Sequence, residues 1–316
     1  MRNRIEFLAV TLVRGLTRAL PRRASLVVGD VLGRLFYILH GRRRELAVEN
    51  LRTAFPSRTD RECRELLRST FGHFGRHVIE LLNFDAMSAN QMMKLVDVEG
   101  AERVEQAMAG ETGVMYYTGH FGYWELQIMV HACRFTPIVM VARTLDNPFL
   151  ERLIERIRTR VGTRVIPRQG AIRGLLRALI AKNSVGMMVD QHMQDRSAVT
   201  IDFFNRPAST TSAIAALALR TGAPIIPVFA LPLPGGRYRM VYETPVEPPA
   251  ADDPDPIRTY TQRCTDVLEM YVRRYPDLWL WMHRRWRTDT TTANEDQAVV
   301  GTPEAVDPST RKDVRT

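Results

Sequence analysis

Apolar residues along the first 94 positions recur at helical spacing, without β-rich runs, and Pro21 and Pro56 separate successive helices. From Leu95 the pattern changes. Short β-branched or aromatic runs, at 114–117, 138–141, 165–166, 185–189 and 199–204, alternate with helical stretches over 124–133, 147–160, 171–181 and 211–220. Two further strands, 225–230 and 238–242, are joined through a Pro-Gly-Gly turn. A Pro- and Asp-rich loop over 245–256 leads to a last helix over 257–274. Such alternation predicts an α/β fold with a central, mostly parallel sheet flanked by helices. The predicted organisation is a helical region over 1–94, an α/β domain over 95–287 and a disordered tail over 288–316, which has no apolar periodicity.

Within the first 40 residues, the apolar stretches Ile5–Leu20 and Leu26–Leu39 are interrupted by Arg14, Arg18 and Arg34. Neither supplies the roughly 20 uninterrupted apolar residues of a spanning helix, and no signal-peptide cleavage pattern follows. Arg2, Arg4, Arg14, Arg18, Arg22 and Arg23 interleave the apolar positions, a pattern that suits a helix lying in an anionic membrane interface. A surface helix packed on its own domain is the alternative.

Composition narrows the partners. The net charge of +9 favours anionic partners: nucleic acid, anionic lipid or an acidic protein. No nucleic-acid reading motif accompanies that charge, so nucleic acid is not expected. Cys63, Cys133 and Cys264 are too far apart for a zinc site or a disulfide framework. HExxH is absent, and no metal is expected. GxSxG is also absent, which disfavours a serine hydrolase.

The chemistry concentrates between Tyr116 and Glu125, where a strand ends, two glycines flank His120 and a helix begins. Residues five apart lie about 140° apart on a helix, so His120 and Glu125 can meet only if His120 precedes the helix. Gly119 and Gly122 give the chain that freedom. Glu125 would orient one imidazole nitrogen while the other takes a proton from a substrate hydroxyl. Taken alone, the spacing favours a capping histidine and an unrelated glutamate, because short motifs recur by chance.

Further ordered blocks change that balance: Asn50-Leu51, Phe55-Pro56, Ala142-Arg143 with Asn147-Pro148, Val189-Asp190-Gln191, Ile201–Ala208, Pro224–Val228 and Trp279–Trp286. With Gly119–Glu125 they make the chain resemble the lipid A biosynthesis lauroyl/myristoyl acyltransferase family, within the wider HxxxxD/E acyltransferases. The resemblance implies transfer of an acyl group from an acyl carrier protein or coenzyme A thioester to a hydroxyl of a membrane glycolipid, a lipid A precursor foremost. It implies no metal, no cofactor and no covalent acyl-enzyme. It places the protein at the cytoplasmic face of a bacterial inner membrane. His120 would be the general base and Glu125 its partner. Arg143 would meet anionic groups or the oxyanion, and Asp190 and Gln191 would line the site. Gly122 and Tyr123 would bind substrate on the acceptor side. Two departures from the family pattern, Tyr123 for Asn and Asn205 for Gly, leave other acceptors open: a phosphatidylinositol mannoside, an ornithine lipid or a lysolipid. A non-catalytic membrane scaffold is the reading from another class, and the intact His120 and Glu125 oppose it.

Two features remain open on sequence. The arginines at 158, 160, 164, 168, 173 and 177 form either a dock for an acidic carrier or lipid phosphate, or a solvated face. Trp279, Trp281 and Trp286 fit either an interfacial belt or a core.

Overall fold

A computed structural model describes residues 1–168, 170–194 and 198–286; the predicted tail lies outside these. The N-terminal helices are α1 (Arg2–Ala19), α2 (Arg22–Leu39), α3 (Gly41–Ala54), α4 (Asp60–Asn83) and the short α5 (Ala89–Met93). Pro21 separates α1 from α2, and Thr59 caps α4 in a reciprocal box with Glu62. Helix α2 lies close against α4 because its facing residues are glycines. A Cβ at Gly33 would stand 2.0 Å from the Phe71 carbonyl oxygen, and one at Gly29 2.8 Å from that of Gly75.

The chain continues through β1 (Val96–Glu99), α6 (Ala101–Met108), β2 (Met115–Thr118), α7 (Trp124–Arg134), β3 (Ile138–Ala142), α8 (Pro148–Thr159), β4 (Arg164–Pro167), α9 (Ala171–Ile180) and β5 (Ser184–Met188). A ribbon of β6 (Ala198–Asp202) and β7 (Pro207–Thr211) follows, then α10 (Ala213–Thr221), β8 (Ile225–Leu233), β9 (Arg237–Tyr242) and α11 (Pro256–Arg274). Seven strands form one sheet in the order β1-β9-β8-β2-β5-β3-β4, parallel throughout except at the β8–β9 hairpin. The predicted mostly parallel sheet is therefore present. Strand β2 is central and buried on both faces, as Met115-Tyr116-Tyr117-Thr118 allows.

Five elements depart from the sequence reading: β1, α6, β6, β7 and α10. Strand β1 and helix α6 add to the predicted elements; β1 is short and carries Asp97 and Glu99 on its exposed positions, so it has no apolar run. Residues 207–211 form β7, which takes up Thr211 from the predicted helical stretch 211–220, so α10 starts at Ala213. The strand expected to reach Phe204 stops at Asp202, because Phe204 and Asn205 both take positive φ, 58° and 56°, at the tip of the ribbon. Two residues with positive φ make the turn that a twisted hairpin favours, and Asn205 stands there where glycine is usual.

Residues 1–286 hold together as one compact unit. Trp279 and Trp281 are fully buried, which selects the core reading of that segment. Asn50 of α3 donates from its side chain to the carbonyls of Trp281 (2.8 Å) and His283 (2.7 Å), tying the N-terminal helices to the end of the fold.

Candidate active site

Strands β2 and β5 are parallel neighbours with Thr118 opposite Met188. Carrying that register on by two residues sets His120 opposite Asp190, just past the carboxyl ends of both strands, where parallel sheets build their sites. The two do meet. His120 Nδ1 is 2.8 Å from Asp190 Oδ1, and the His120 backbone N–H donates to Oδ2 at 2.7 Å. Trp279 Nε1 adds a third donor to Oδ2 at 2.9 Å. Burial works to raise the Asp190 carboxyl, but the imidazole, the two N–H bonds and Trp279 outweigh it and hold the group at about 2. An ionised Asp190 accepts the Nδ1 proton, so Nε2 carries the lone pair. Gln191 Nε2 lies 3.3 Å from that Nε2, as a donor to it would.

Glu125 goes elsewhere. Helix α7 starts at Trp124, so His120 does precede the helix and Glu125 does lie in its first turn. Its carboxylate, however, makes no hydrogen bond to the imidazole. Both oxygens take the guanidinium of Arg158, from Nε at 3.0 Å and Nη2 at 2.5 Å. Burial opposes the charge on Arg158, yet Glu125 keeps it above its ordinary value. The expected His120–Glu125 contact is thus replaced by two separate pairs, His120–Asp190 and Glu125–Arg158. Arg158 leaves the predicted basic run to enter the site, and the other arginines of that run are exposed.

The loop between them is pinned on every side. Gly122 has φ +59°, and a Cβ there would be 2.1 Å from the Ala230 carbonyl oxygen. Its N–H donates to the Leu278 carbonyl (2.8 Å), and its own carbonyl lies 3.1 Å from His73 Nε2. Gly119 serves by size: a Cβ would sit 3.0 Å from Asp190 Oδ2. The Leu280 N–H bonds the His120 carbonyl at 3.0 Å.

Beside this loop opens a cavity of about 660 Å³. His120, Glu125, Gln191, Arg143 and Arg158 line it, and its walls run inward past Met140, Gly186 and Met240 to His131 and Tyr242. Arg143 is exposed at the rim, paired with Asp146 at 3.1 Å. Tyr123 and Gly122, expected to contact substrate, are not on the cavity wall. The Tyr123 side chain is buried behind the loop against His73, His77 and Tyr238. Its aromatic bulk suits the interior, and the position after Gly122 points away from the opening. Asp190 is also behind the wall, bonded to His120. The His77 ring packs tilted against Trp124, centroids 3.9 Å apart, and Trp124 in turn meets the His120 ring. Among the described residues no group of three His, Cys, Asp or Glu could hold a metal ion.

Residues 1–288 match the profile of the bacterial lipid A biosynthesis acyltransferases. The chain belongs to this family. Within it the chain is similar to the lipid A biosynthesis lauroyltransferase of Escherichia coli (strain K12), 25% identical over 271 residues, covering 85% of this chain and 87% of that one. It is also similar to a lipid A biosynthesis acyltransferase of Haemophilus influenzae, 25% identical over 266 residues with 83% of each covered. A phosphatidylinositol mannoside acyltransferase of Mycolicibacterium smegmatis is 24% identical over 242 residues, covering 75% of this chain and 77% of that one. This member of the lipid A acyltransferase family is accordingly an acyltransferase, built on a cavity with an imidazole at its mouth.

Proposed function

We propose that the protein transfers a fatty acyl group from a thioester, on acyl carrier protein or coenzyme A, to a hydroxyl of a lipid A precursor at a bacterial inner membrane. The observation that carries this reading is the His120 imidazole, fixed at Nδ1 by buried Asp190, with Nε2 turned to a largely apolar cavity. The acceptor hydroxyl displaces the Gln191 amide and gives its proton to Nε2. The oxygen attacks the thioester carbonyl, the C–O bond forms, and the C–S bond breaks. The imidazolium returns the proton to the departing thiolate. Asp190 stabilises the imidazolium in between, as a buried carboxylate does in a triad. Glu125 contributes by holding Arg158 at the cavity wall, and Arg143 at the rim receives an anionic group of either substrate. A lipid A precursor is favoured over a phosphatidylinositol mannoside as acceptor because the lipid A relatives align over more of the chain.

Two exposed stripes support membrane docking: Ile5, Leu8, Leu12 and Leu16 on α1, and Val27, Val31, Leu35 and Ile38 on α2. Among the described residues no single helix is long and apolar enough to cross a bilayer; α2 and α3 together form an apolar pair bent by 93°. Not all the interleaved arginines serve the lipid. Arg14 and Arg18 bond Asp85, and Arg22 bonds Glu80 and Tyr238, so these three anchor the helices to the fold. Leu12→Glu with Val31→Glu should move the protein from the membrane to the soluble fraction on sedimentation, and unchanged sedimentation defeats the docking claim. For the reaction, His120→Ala should lower transfer to a lipid A precursor by about 10² to 10⁴ in a purified assay read by mass spectrometry. Full activity of that variant defeats the mechanism.

A further inference from the structure

Past the reacting groups, the cavity continues inward to side chains that the reaction does not use. His131 lies on α7 seven residues beyond Trp124, roughly 10 Å deeper at the helical rise. Tyr116 lies four residues before His120 on β2, a comparable depth of roughly 13 Å. Both line the cavity, together with Tyr242. We infer that His131 and Tyr242, braced from behind by Ser184, form a rigid polar floor that fixes the length of the acyl chain, and that Gly186 sets the bore beside it. This rests on the acyl transfer proposed above.

The floor cannot swing aside. His131 Nδ1 bonds the Tyr242 hydroxyl at 3.0 Å, and its Nε2 lies 3.3 Å from Ser184 Oγ. Ser184 is held in turn by Thr136 at 2.9 Å. Both imidazole nitrogens are therefore committed, and the ring is packed between Tyr116 and Phe135. A terminal methyl pushing through would strip buried polar atoms of their partners, which is strongly disfavoured. Burial drives the His131 pKa down to about 3, so the floor is neutral and no charge meets the hydrocarbon.

Gly186 keeps the slot open beside that floor. It lies mid-strand in β5, opposite Tyr116 of β2 and Met140 of β3. A glycine inside a central strand weakens the sheet and marks a place where something must approach closely. A Cβ there would reach to 3.0 Å from Ile138 Cγ2 and 4.0 Å from Met140 Cβ, both on the cavity wall. A methyl at Gly186 would press on Ile138 and crowd the wall past which the acyl chain has to run.

The two positions should act in opposite directions. A homologous series of straight-chain acyl thioesters, offered to the purified full-length protein with a lipid A precursor, gives kcat/KM against chain length. The wild type should show a sharp optimum. His131→Ala deepens the slot and should move the optimum to longer chains, while Gly186→Ala narrows it and should move the optimum to shorter ones. Each shift should change the long-to-short preference roughly tenfold, the worth of a methylene in a fitted pocket. An optimum that stays in place in both variants, or moves the same way in both, overturns the inference while leaving acyl transfer standing. No transfer of any chain by the wild type overturns the underlying reading and the inference with it. Gly186→Ala keeps the floor intact, so it carries the test by itself if His131→Ala does not fold.

Discussion

Asp190 and Glu125 are buried carboxylates within one small region, 3% and 5% exposed, and they are used in contrasting ways. Asp190 gathers three N–H donors: the His120 ring, the His120 backbone and Trp279. Glu125 gives both its oxygens to one guanidinium, that of Arg158. The first arrangement fixes a tautomer and an orientation, so its effect passes through a proton. The second neutralises and positions a cation, so its effect passes through charge. Sequence distance is a poor guide to which is which. Glu125 is five residues from His120 and does not touch it, whereas Asp190 is seventy away and does.

Exchanging the carboxylates for amides separates the two most sharply. Asp190→Asn turns an acceptor into a group that can donate to Nδ1, which favours the tautomer with its proton on Nε2. We expect kcat to fall by about 10² to 10⁴ with KM little changed. Should Asp190→Asn keep its kcat while Glu125→Gln loses all activity, the comparison breaks, and Glu125 is the partner of the imidazole in the working state. Glu125→Ala strands the Arg158 charge, and breaking such a buried pair costs about 3–5 kcal/mol of stability. Arg158→Met in the same chain should recover most of that loss in urea unfolding, since the stranded charge is gone. A double variant no more stable than Glu125→Ala would show that the pair is not the source.

Acid sharpens the contrast on a smaller scale. His73, His77 and His131 are pushed down from 6.5 to about 3 by burial, with neighbouring cations adding to it at His73 and His77. They stay neutral in the folded protein but protonate on unfolding. Their contribution is complete above pH 6.5 and is lost as pH falls toward 3, by about 1.4 kcal/mol per pH unit for each. Asp190, held at about 2 against 3.8, adds its own loss only below 3.8. Urea midpoints measured from pH 7 to 4 should therefore fall steeply, and a flat profile would mean that these rings take up protons in place.

The sequence carried the reaction class and the strand-loop-helix frame of His120, because both are written in local spacing and in ordered blocks. It carried the sheet as well, since buried parallel strands read as continuous apolar runs. What it could not carry is register. The meeting of His120 with Asp190 follows from Thr118 lying opposite Met188, a fact about two strands separated by the whole β3–α9 excursion. Arg158 was visible only as one of several arginines, and nothing local set it apart from Arg160 or Arg164. Tyr123 misled for a related reason: adjacency to a motif does not say which way a side chain faces once Gly122 has turned the backbone.

The bonds from Leu278 and Leu280 to the His120 loop, with Trp279 on Asp190, also order events during synthesis. A ribosome delivers α1 and α2 well before the Trp279 segment. The nascent chain thus presents its apolar stripes long before its imidazole can be braced. On the proposed docking, attachment to the bilayer precedes competence, and a product terminated short of Leu278 would reach the membrane without a braced His120 loop.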